Sequence, residues 1–255
     1  MNMRLWLGSA GVVLLSALPA MPFCLAPQPR LVCAEYFRST LVVTATLITT
    51  TPIPEDEPDS PYARVYALRV NRTLRGKAPA TLQVYEENSS GRAGFDWVRG
   101  REYLLFLNLA SDDDATYARV DSNLEASHLT FWELDGCGNS APTSRAAAAL
   151  SAIKAIQTGP GGSVIQGVVR TRYGQTPLSG MHVEAQGQDR RFAAITDKNG
   201  EFRMRVTPGR YTVKVIDAGR FFDYGELSYS DIDDPLEPGE CAQVEFRELP
   251  APPSP

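Results

Sequence analysis

Apolar and polar residues alternate with a period of two along most of the first half of the chain. The stretch TLVVTATLITT (40–50) is also rich in β-branched residues, which favour extended backbone. EYLLFLNL (102–109) is continuously apolar, as expected for a strand covered on both faces. The pattern predicts strands over residues 40–50, 62–76, 81–87, 102–109, 115–120 and 128–134.

The pattern changes to helical spacing at 141–159, which contains a run of four alanines. Thr143 or Ser144 is predicted to cap the start of this helix, and Gly159 to end it. The next residues, GPGG (159–162), have linker composition, so we place a domain boundary there.

Short apolar alternations return after the linker, with turn residues between them. They predict strands over 163–171, 181–187, 192–196, 201–206, 210–216 and 241–249, the arrangement of a β-sandwich. In TDKNGEF (196–202), Asp197 is expected to accept backbone hydrogen bonds while Asn199 and Gly200 supply a tight hairpin. A loop rich in Asp and Tyr precedes the last strand, and the tail 251–255 is too proline-rich to pair in a sheet.

The N-terminus has the organisation of a secretory signal. Arg4 precedes an uncharged apolar run that ends at Pro19-Ala20, so residues 1–20 are predicted to be removed on export. The run is shorter than the roughly 20 residues that span a bilayer. An uncleaved anchor is the alternative, and bulky Phe23 disfavours a lipid anchor on Cys24. The expected location is secreted or periplasmic, with no transmembrane segment after cleavage.

Four cysteines follow in the exported chain: Cys24, Cys33, Cys137 and Cys241. An even number in an oxidising compartment predicts disulfides, and no pair has the C-x-x-C spacing of a zinc ribbon or redox centre. Three pairings are open, and we expect one bridge between the Cys24/Cys33 segment and Cys137.

The net charge of −5 and the pI near 5.2 exclude a typical nucleic-acid-binding surface, which needs a basic face.

Three ordered motifs in the second half carry a resemblance to a known family: GVVRTRYGQTPLSGMHV, TDKNGEF and VTPGRYTVKV. Over about 163–248 the chain resembles the carboxypeptidase regulatory-like family, a transthyretin-like β-sandwich grouped with carbohydrate-binding-like folds. The resemblance implies a small extracellular β-module at 163–250 without catalytic residues.

The first half, residues 24–158, resembles a netrin-like domain of the kind found in tissue inhibitors of metalloproteinases. LVVTATL, YALRVNRTLRGKAPATLQV, RGREYLLF and the cysteines at 24, 33 and 137 carry this resemblance. It implies an OB-type β-barrel over 21–158 with a C-terminal helix. Those inhibitors ligate the protease zinc through a mature N-terminal C-x-C, and the Cys24–Cys33 spacing departs from that motif.

Few residues favour catalysis. His128 and His182 do not form a zinc or general-base motif, and a solvent-facing strand position is the simpler interpretation for both. Ser151 and Lys154 match S-x-x-K, but S-D-N and K-T-G are missing from the sequence. The acidic runs at 112–114 and 231–234 lack calcium-loop spacing, so no metal or cofactor is expected.

One loop combines aromatic and acidic residues in a way that suits sugar binding. Phe221, Phe222, Tyr224 and Tyr229 lie in RFFDYGELSYSD (220–231), and core packing is the alternative for them. The sequence therefore predicts a mainly β, non-enzymatic, exported protein that binds a protein or a glycan at the cell surface. A protease inhibitor and a carbohydrate-binding module remain the alternatives.

Overall fold

The computed structural model describes residues 30–53, 63–87, 95–110, 130–159, 161–172, 176–217, 219–224 and 235–250. The expected signal peptide, Cys24, His128, Tyr229, both acidic runs, the 115–120 strand and the 251–255 tail lie outside these residues. Within them the chain is mainly β, as predicted.

The described residues of the first half form a closed five-stranded barrel. Its strands are β1 (Leu41–Ile53), β2 (Ala63–Arg75), β3 (Thr81–Glu87), β4 (Glu102–Leu109) and β5 (Phe131–Leu134), with the short β6 (Ala141–Pro142) beside β4. They pair in the order β1-β2-β3-β5-β4, and β4 pairs again with β1 to close the barrel. β3 and β5 run parallel, and the other pairs are antiparallel. This confirms the OB-like barrel that the resemblance implied for the first half.

Two helices cover one side of the barrel. They are α1 (Val32–Arg38) and α2 (Ala147–Thr158). Ile153 of α2 and Tyr36 of α1 pack with Val42 and Leu104 on the outer face of the barrel. β1 is therefore buried on both faces over most of 41–47, which explains why its sequence is almost continuously apolar.

The second half forms a two-sheet sandwich. Its strands are β7 (Ser163–Arg170), β8 (His182–Gln186), β9 (Arg191–Ile195), β10 (Glu201–Val206), β11 (Thr212–Ile216), β12 (Phe221–Tyr224) and β13 (Cys241–Leu249). One sheet has the order β10-β7-β13-β12, and the other has the order β11-β8-β9. The sandwich that the turn spacing predicted is confirmed.

Each half has its own hydrophobic core. Leu68, Leu105 and Tyr103 fill the barrel, whereas Ile165, Val244 and Phe202 belong to a separate cluster between the sheets of the sandwich. No cluster joins the two interiors within the described residues. α2 ends at Thr158 and β7 begins at Ser163, on either side of the expected linker.

Three local predictions need correction. The helix begins at Ala147, and its N-cap is Ala146 without a side-chain cap bond, because Thr143 instead donates its backbone N–H to Glu102 O of β4. Helix α1 lacked a sequence signal, and β12 occupies what the composition indicated as loop. The predicted end of α2 is confirmed, since Gly159 donates its N–H to Ala155 O.

A polar cluster beneath α1 ties the N-terminal side of the barrel together. Buried Glu35 accepts hydrogen bonds from the backbone N–H and side-chain Nδ2 of Asn139, at 2.7 and 2.6 Å. Arg30 forms an ion pair with Asp135 at 2.8 Å and lies 3.9 Å from Glu35. Burial raises the pKa of the Glu35 carboxyl, against the bonds from Asn139 and the charge of Arg30, which lower it.

Barrel and sandwich are joined covalently through α1. Cys33 of α1 is disulfide-bonded to Cys241 at the start of β13. Cys137 is also disulfide-bonded, so the expected use of cysteines as crosslinks is confirmed. The bridge expected between the Cys24/Cys33 segment and Cys137 does not use Cys33, and Cys24 lies outside the described residues. Leu31 adds a hydrogen bond from its N–H to Gln243 Oε1 at 3.2 Å.

No described helix is both long and apolar enough to cross a membrane.

Candidate functional site

The outer face of the four-stranded sheet carries a regular array of polar side chains. β7 buries Ile165 and Val169 in the sandwich core, so strand alternation turns Gln166, Val168 and Arg170 outward. The strand register extends this face sideways, as each outward position has neighbours on β10 and β13. One cross-strand row contains Arg203, Gln166 and Gln243, and the next contains Glu201, Val168 and Glu245.

A groove of about 530 Å³ crosses this face from β9 to β13. Its volume lies within the range of about 300–1,000 Å³ that is usual for ligand sites. We call it the outer-face groove. It is lined by Leu31, Gln166, Gly167, Val168, Arg170, Ala194, Ile195, Asp197, Glu201, Phe202, Arg203, Gln243, Val244 and Glu245.

The polar side chains in the groove are held in place by hydrogen bonds and ion pairs to their neighbours. Arg203 donates to Gln166 Oε1 at 3.2 Å. Glu245 is only 5% exposed although it lies on the outward face, and its carboxylate is 3.2 Å from Arg247 Nε and 3.8 Å from Arg170 Nε. Because a buried carboxylate is costly unless it is paired, these two guanidinium groups fix it in place. The groove thus offers preoriented donors and acceptors in the same small area.

The groove opens because the β9–β10 hairpin divides between the two sheets. Asp197 Oδ1 accepts bonds from the backbone N–H groups of Asn199 and Glu201, at 2.8 and 2.9 Å, and Gly200 has a φ of +72°. This confirms the turn chemistry predicted from TDKNGEF. One bond, from Asp197 N–H to Glu201 O, joins the ends of the two strands. Past this bond the strands belong to different sheets: β9 pairs with β8, and β10 pairs with β7. The two strands therefore separate, and the groove begins at that point.

The predicted aromatic residues do not form one binding surface. Phe221 is 48% exposed and lies outward beside Leu249, its neighbour in the β12–β13 register. Phe222 points the other way, packs against the sandwich core and lies 5.5 Å below the guanidinium of Arg220. The side chain of Tyr224 lies outside the described residues, as does Tyr229. Phe221 and Phe222 occupy opposite faces because both are on a strand.

The other candidate residues stand apart from the groove. His182 is exposed on β8, which confirms the strand interpretation. Ser151 and Lys154 are both exposed on α2. Asn71, the acceptor of a glycosylation sequon, donates its amide to Thr46 Oγ1 and Glu102 Oε1 on the barrel surface. The described lining of the groove contains no histidine, cysteine or serine, so it lacks a Ser–His or Cys–His pair.

Sequence reasoning missed the groove residues. Their only sequence signal is the polar half of the alternation in β7, β10 and β13, which is the same in any solvent-facing strand. Leu31 was missed for another reason, since the disulfide on α1 brings it to the sandwich.

Residues 164–232 match the family model described as carboxypeptidase regulatory-like domain. This match supports a carboxypeptidase regulatory-like domain at residues 164–232. A domain of this kind is non-catalytic. The match begins within β7 and includes both strands of the hairpin that opens the groove.

No curated protein matches the chain. Among solved structures, the Bacillus anthracis TIE protein is 12% identical, with a TM-score of 0.27, over 83% of this chain and 34% of that one. The chain thus spans about a third of that protein, and at this TM-score the similarity carries no argument about fold or function.

Proposed function

We propose that this protein is an exported, non-catalytic binding protein that engages a protein or a glycan at the cell surface through its outer-face groove. The observation that carries the proposal is the groove itself. It combines two guanidinium groups, two side-chain amides and three carboxylates on a rigid sheet. Such a surface can recognise polar groups, and its described lining contains no histidine, cysteine or serine.

Export is supported by the N-terminal segment and by the cysteines. Residues 1–20 have signal organisation, and the Cys33–Cys241 and Cys137 sulfurs are oxidised, which is typical of proteins outside the reducing cytosol.

Carbohydrate binding is the first alternative and is favoured by the groove's amide and guanidinium donors. Phe221 could add one exposed ring, although it lies on β12, at the far edge of the same sheet from β10. An aromatic platform would need Tyr224 and Tyr229 as well, since Phe222 is turned inward.

Protease inhibition is the second alternative and is favoured by the OB-like strand order of the barrel. The resemblance to netrin-like inhibitors supplies the mechanism, in which a mature N-terminal cysteine ligates the protease zinc. Sequencing the mature N-terminus tests it, because a chain that starts at Met21 cannot use Cys24 in this way.

The main proposal is tested with a glycan array and with cell envelopes from the source organism, before and after protease treatment. The double variant Gln166→Ala/Arg203→Ala should lose binding, because it removes two of the three polar side chains in one row of the groove. Lys154→Ala, on the exposed face of α2, is the matched control and should bind as the unmodified protein does. Equal binding by both variants would contradict the proposal. So would turnover of a peptide, ester or glycoside that a single substitution abolishes.

A further inference from the structure

Among the described strands, none pairs with the hydrogen-bonding groups along one side of the β9 backbone. Thr196 donates its N–H to Met181 O toward β8, whereas the next residue, Asp197, donates toward β10. In an antiparallel strand, successive residues direct their N–H and C=O groups to opposite sides. Ala193 and Ile195 therefore direct theirs away from β8. Within the described sheets β9 is an edge strand, and it pairs only with β8.

This edge lacks the features that usually prevent strand pairing. β9 reads RFAAI, without proline, glycine or lysine, and its register with β8 is unbroken over five pairs. Ala193 is exposed and small, and Ile195 is 59% exposed. The opposite edge of the same sheet, β11, places Lys214 on its exposed face. Edges that are not meant to pair normally carry charges, prolines or bulges. Apart from Arg191 at its first position, β9 has none of these features, so it is the less protected edge of this sheet.

The outer-face groove begins beside this edge. Ala194 and Ile195 form one wall, and Arg203 of β10 forms the other, at the point where the two strands separate. Since the backbone groups of β9 recur at the two-residue repeat of a strand, a polypeptide is the ligand that matches them.

The charges around the edge favour an acidic ligand. Arg203 and Arg205 are exposed on β10, and Arg191 is exposed at the start of β9. Arg191 already lies 3.8 Å from Glu184 of β8. The carboxylates of the groove are also engaged or lie at its end: Asp197 bonds within the turn beside Glu201, and Glu245 is paired with Arg170 and Arg247. The positive charge that remains beside the edge is that of Arg203 and Arg205. A second copy of this chain would bring the same arginines together, so it fits less well than a different, acidic chain.

We propose that the free edge of β9 binds an extended acidic segment of a partner protein by adding it as a strand, with its side chains entering the outer-face groove. This rests on the proposed binding function and names its ligand class: a polypeptide, bound through its backbone.

A fluorescein-labelled synthetic peptide of alternating glutamate and valine tests the inference by fluorescence anisotropy with the full chain. Two further peptides carry N-methyl groups on alternate residues, one set on each edge of the strand. Methylation on the edge that faces β9 should weaken binding by about tenfold or more, since it removes at least two backbone bonds. Methylation on the other edge should have little effect.

Two proline variants test the protein side. Ala193→Pro removes an N–H on the free edge, where proline is tolerated, so the protein should stay folded and lose about tenfold or more in peptide affinity. Ala194→Pro removes a bond to β8 and should lower the thermal midpoint instead. The methylated peptides keep the test independent of whether Ala193→Pro folds.

The inference is overturned if the peptide does not bind saturably, or if both methylated peptides bind equally. It is also overturned if sedimentation shows a dimer that Ala193→Pro abolishes, because the occupant would then be a second copy. Envelope or glycan binding that is lost in Gln166→Ala/Arg203→Ala, without peptide binding, would refute strand addition and leave the proposed function intact. Peptide binding without any envelope binding would refute the proposed cell-surface function and leave strand addition intact.

Discussion

Removing the disulfide between barrel and sandwich should be the most destabilising change that leaves both cores untouched. Cys33 and Cys241 are 208 residues apart in the sequence. In the chain-entropy model, a crosslink that closes a loop of this length stabilises the folded state by about 5 kcal/mol. The Cys33→Ala/Cys241→Ala variant should lose most of this free energy of unfolding, somewhat less because the Cys137 disulfide still restrains the unfolded chain.

Two polar contacts between barrel and sandwich are each too weak to replace the disulfide. Arg75 lies 3.9 Å from Glu237, and both side chains are partly exposed, so this pair contributes about 1 kcal/mol or less. The Leu31–Gln243 hydrogen bond adds about as much. The halves of the double-alanine variant should therefore separate more readily.

Urea denaturation measures the free energy of unfolding. Limited proteolysis around residues 159–162 measures how readily the barrel and the sandwich separate. Glu237→Gln is the matched control, since it removes the ion pair and keeps the disulfide; it should change stability by about 1 kcal/mol or less. The reasoning is refuted if the double-alanine variant differs from the unmodified protein by no more than Glu237→Gln does.

Three further predictions concern single side chains. Burial raises the pKa of Glu35 above 4.5 in the folded state, so protonation of this carboxyl stabilises the fold fully below about pH 4.5. This stabilisation is lost as the pH rises through the folded-state pKa. Glu35→Gln should therefore reduce the fall of the free energy of unfolding with pH, measured by urea titration, and an unchanged pH dependence would contradict this. Gly200→Ala should lower the free energy of unfolding by about 1–3 kcal/mol more than Gly180→Ala does, as measured by thermal unfolding. Both glycines have a positive φ, but only at Gly200 would the added Cβ lie 2.6 Å from a backbone oxygen of β7. Equal losses of stability would refute this. Tyr103→Phe should lower the free energy of unfolding by about 1–3 kcal/mol, because the hydroxyl donates to a carbonyl of the 95–100 segment at 2.9 Å and accepts one of its N–H groups; an unchanged urea midpoint would exclude this.

Elements with strong local signals were predicted closely. The bounds of β3, β4, β10 and β13 agree with the strands expected from alternation, and the Asp197 turn has the predicted bonds. Errors occurred where tertiary contacts outweigh local preference, as at Thr143, which bonds to β4 and does not cap α2. The linker at 159–162, the signal peptide and the ligand-contact role of the aromatics stay predictions.

The candidate site depends on which strands and which cysteines pair, and the alternation of apolar and polar residues does not show this. The residues FFDY suit a loop rich in turn formers as well as a strand, and only pairing with β13 places Phe221 and Phe222 on opposite faces. In the same way, three cysteine pairings were open from the sequence, and folding brought Cys33 to Cys241.

The sequence by itself determined the β-class, most strand positions and the turn chemistry, because these depend on residues within a few positions of one another. Only the tertiary structure decided the closure of the barrel through β1 and β4, the Cys33–Cys241 link and the groove between β9 and β10. Each of these depends on which strands become neighbours in space, and local periodicity fixes the faces of a strand without naming its partners.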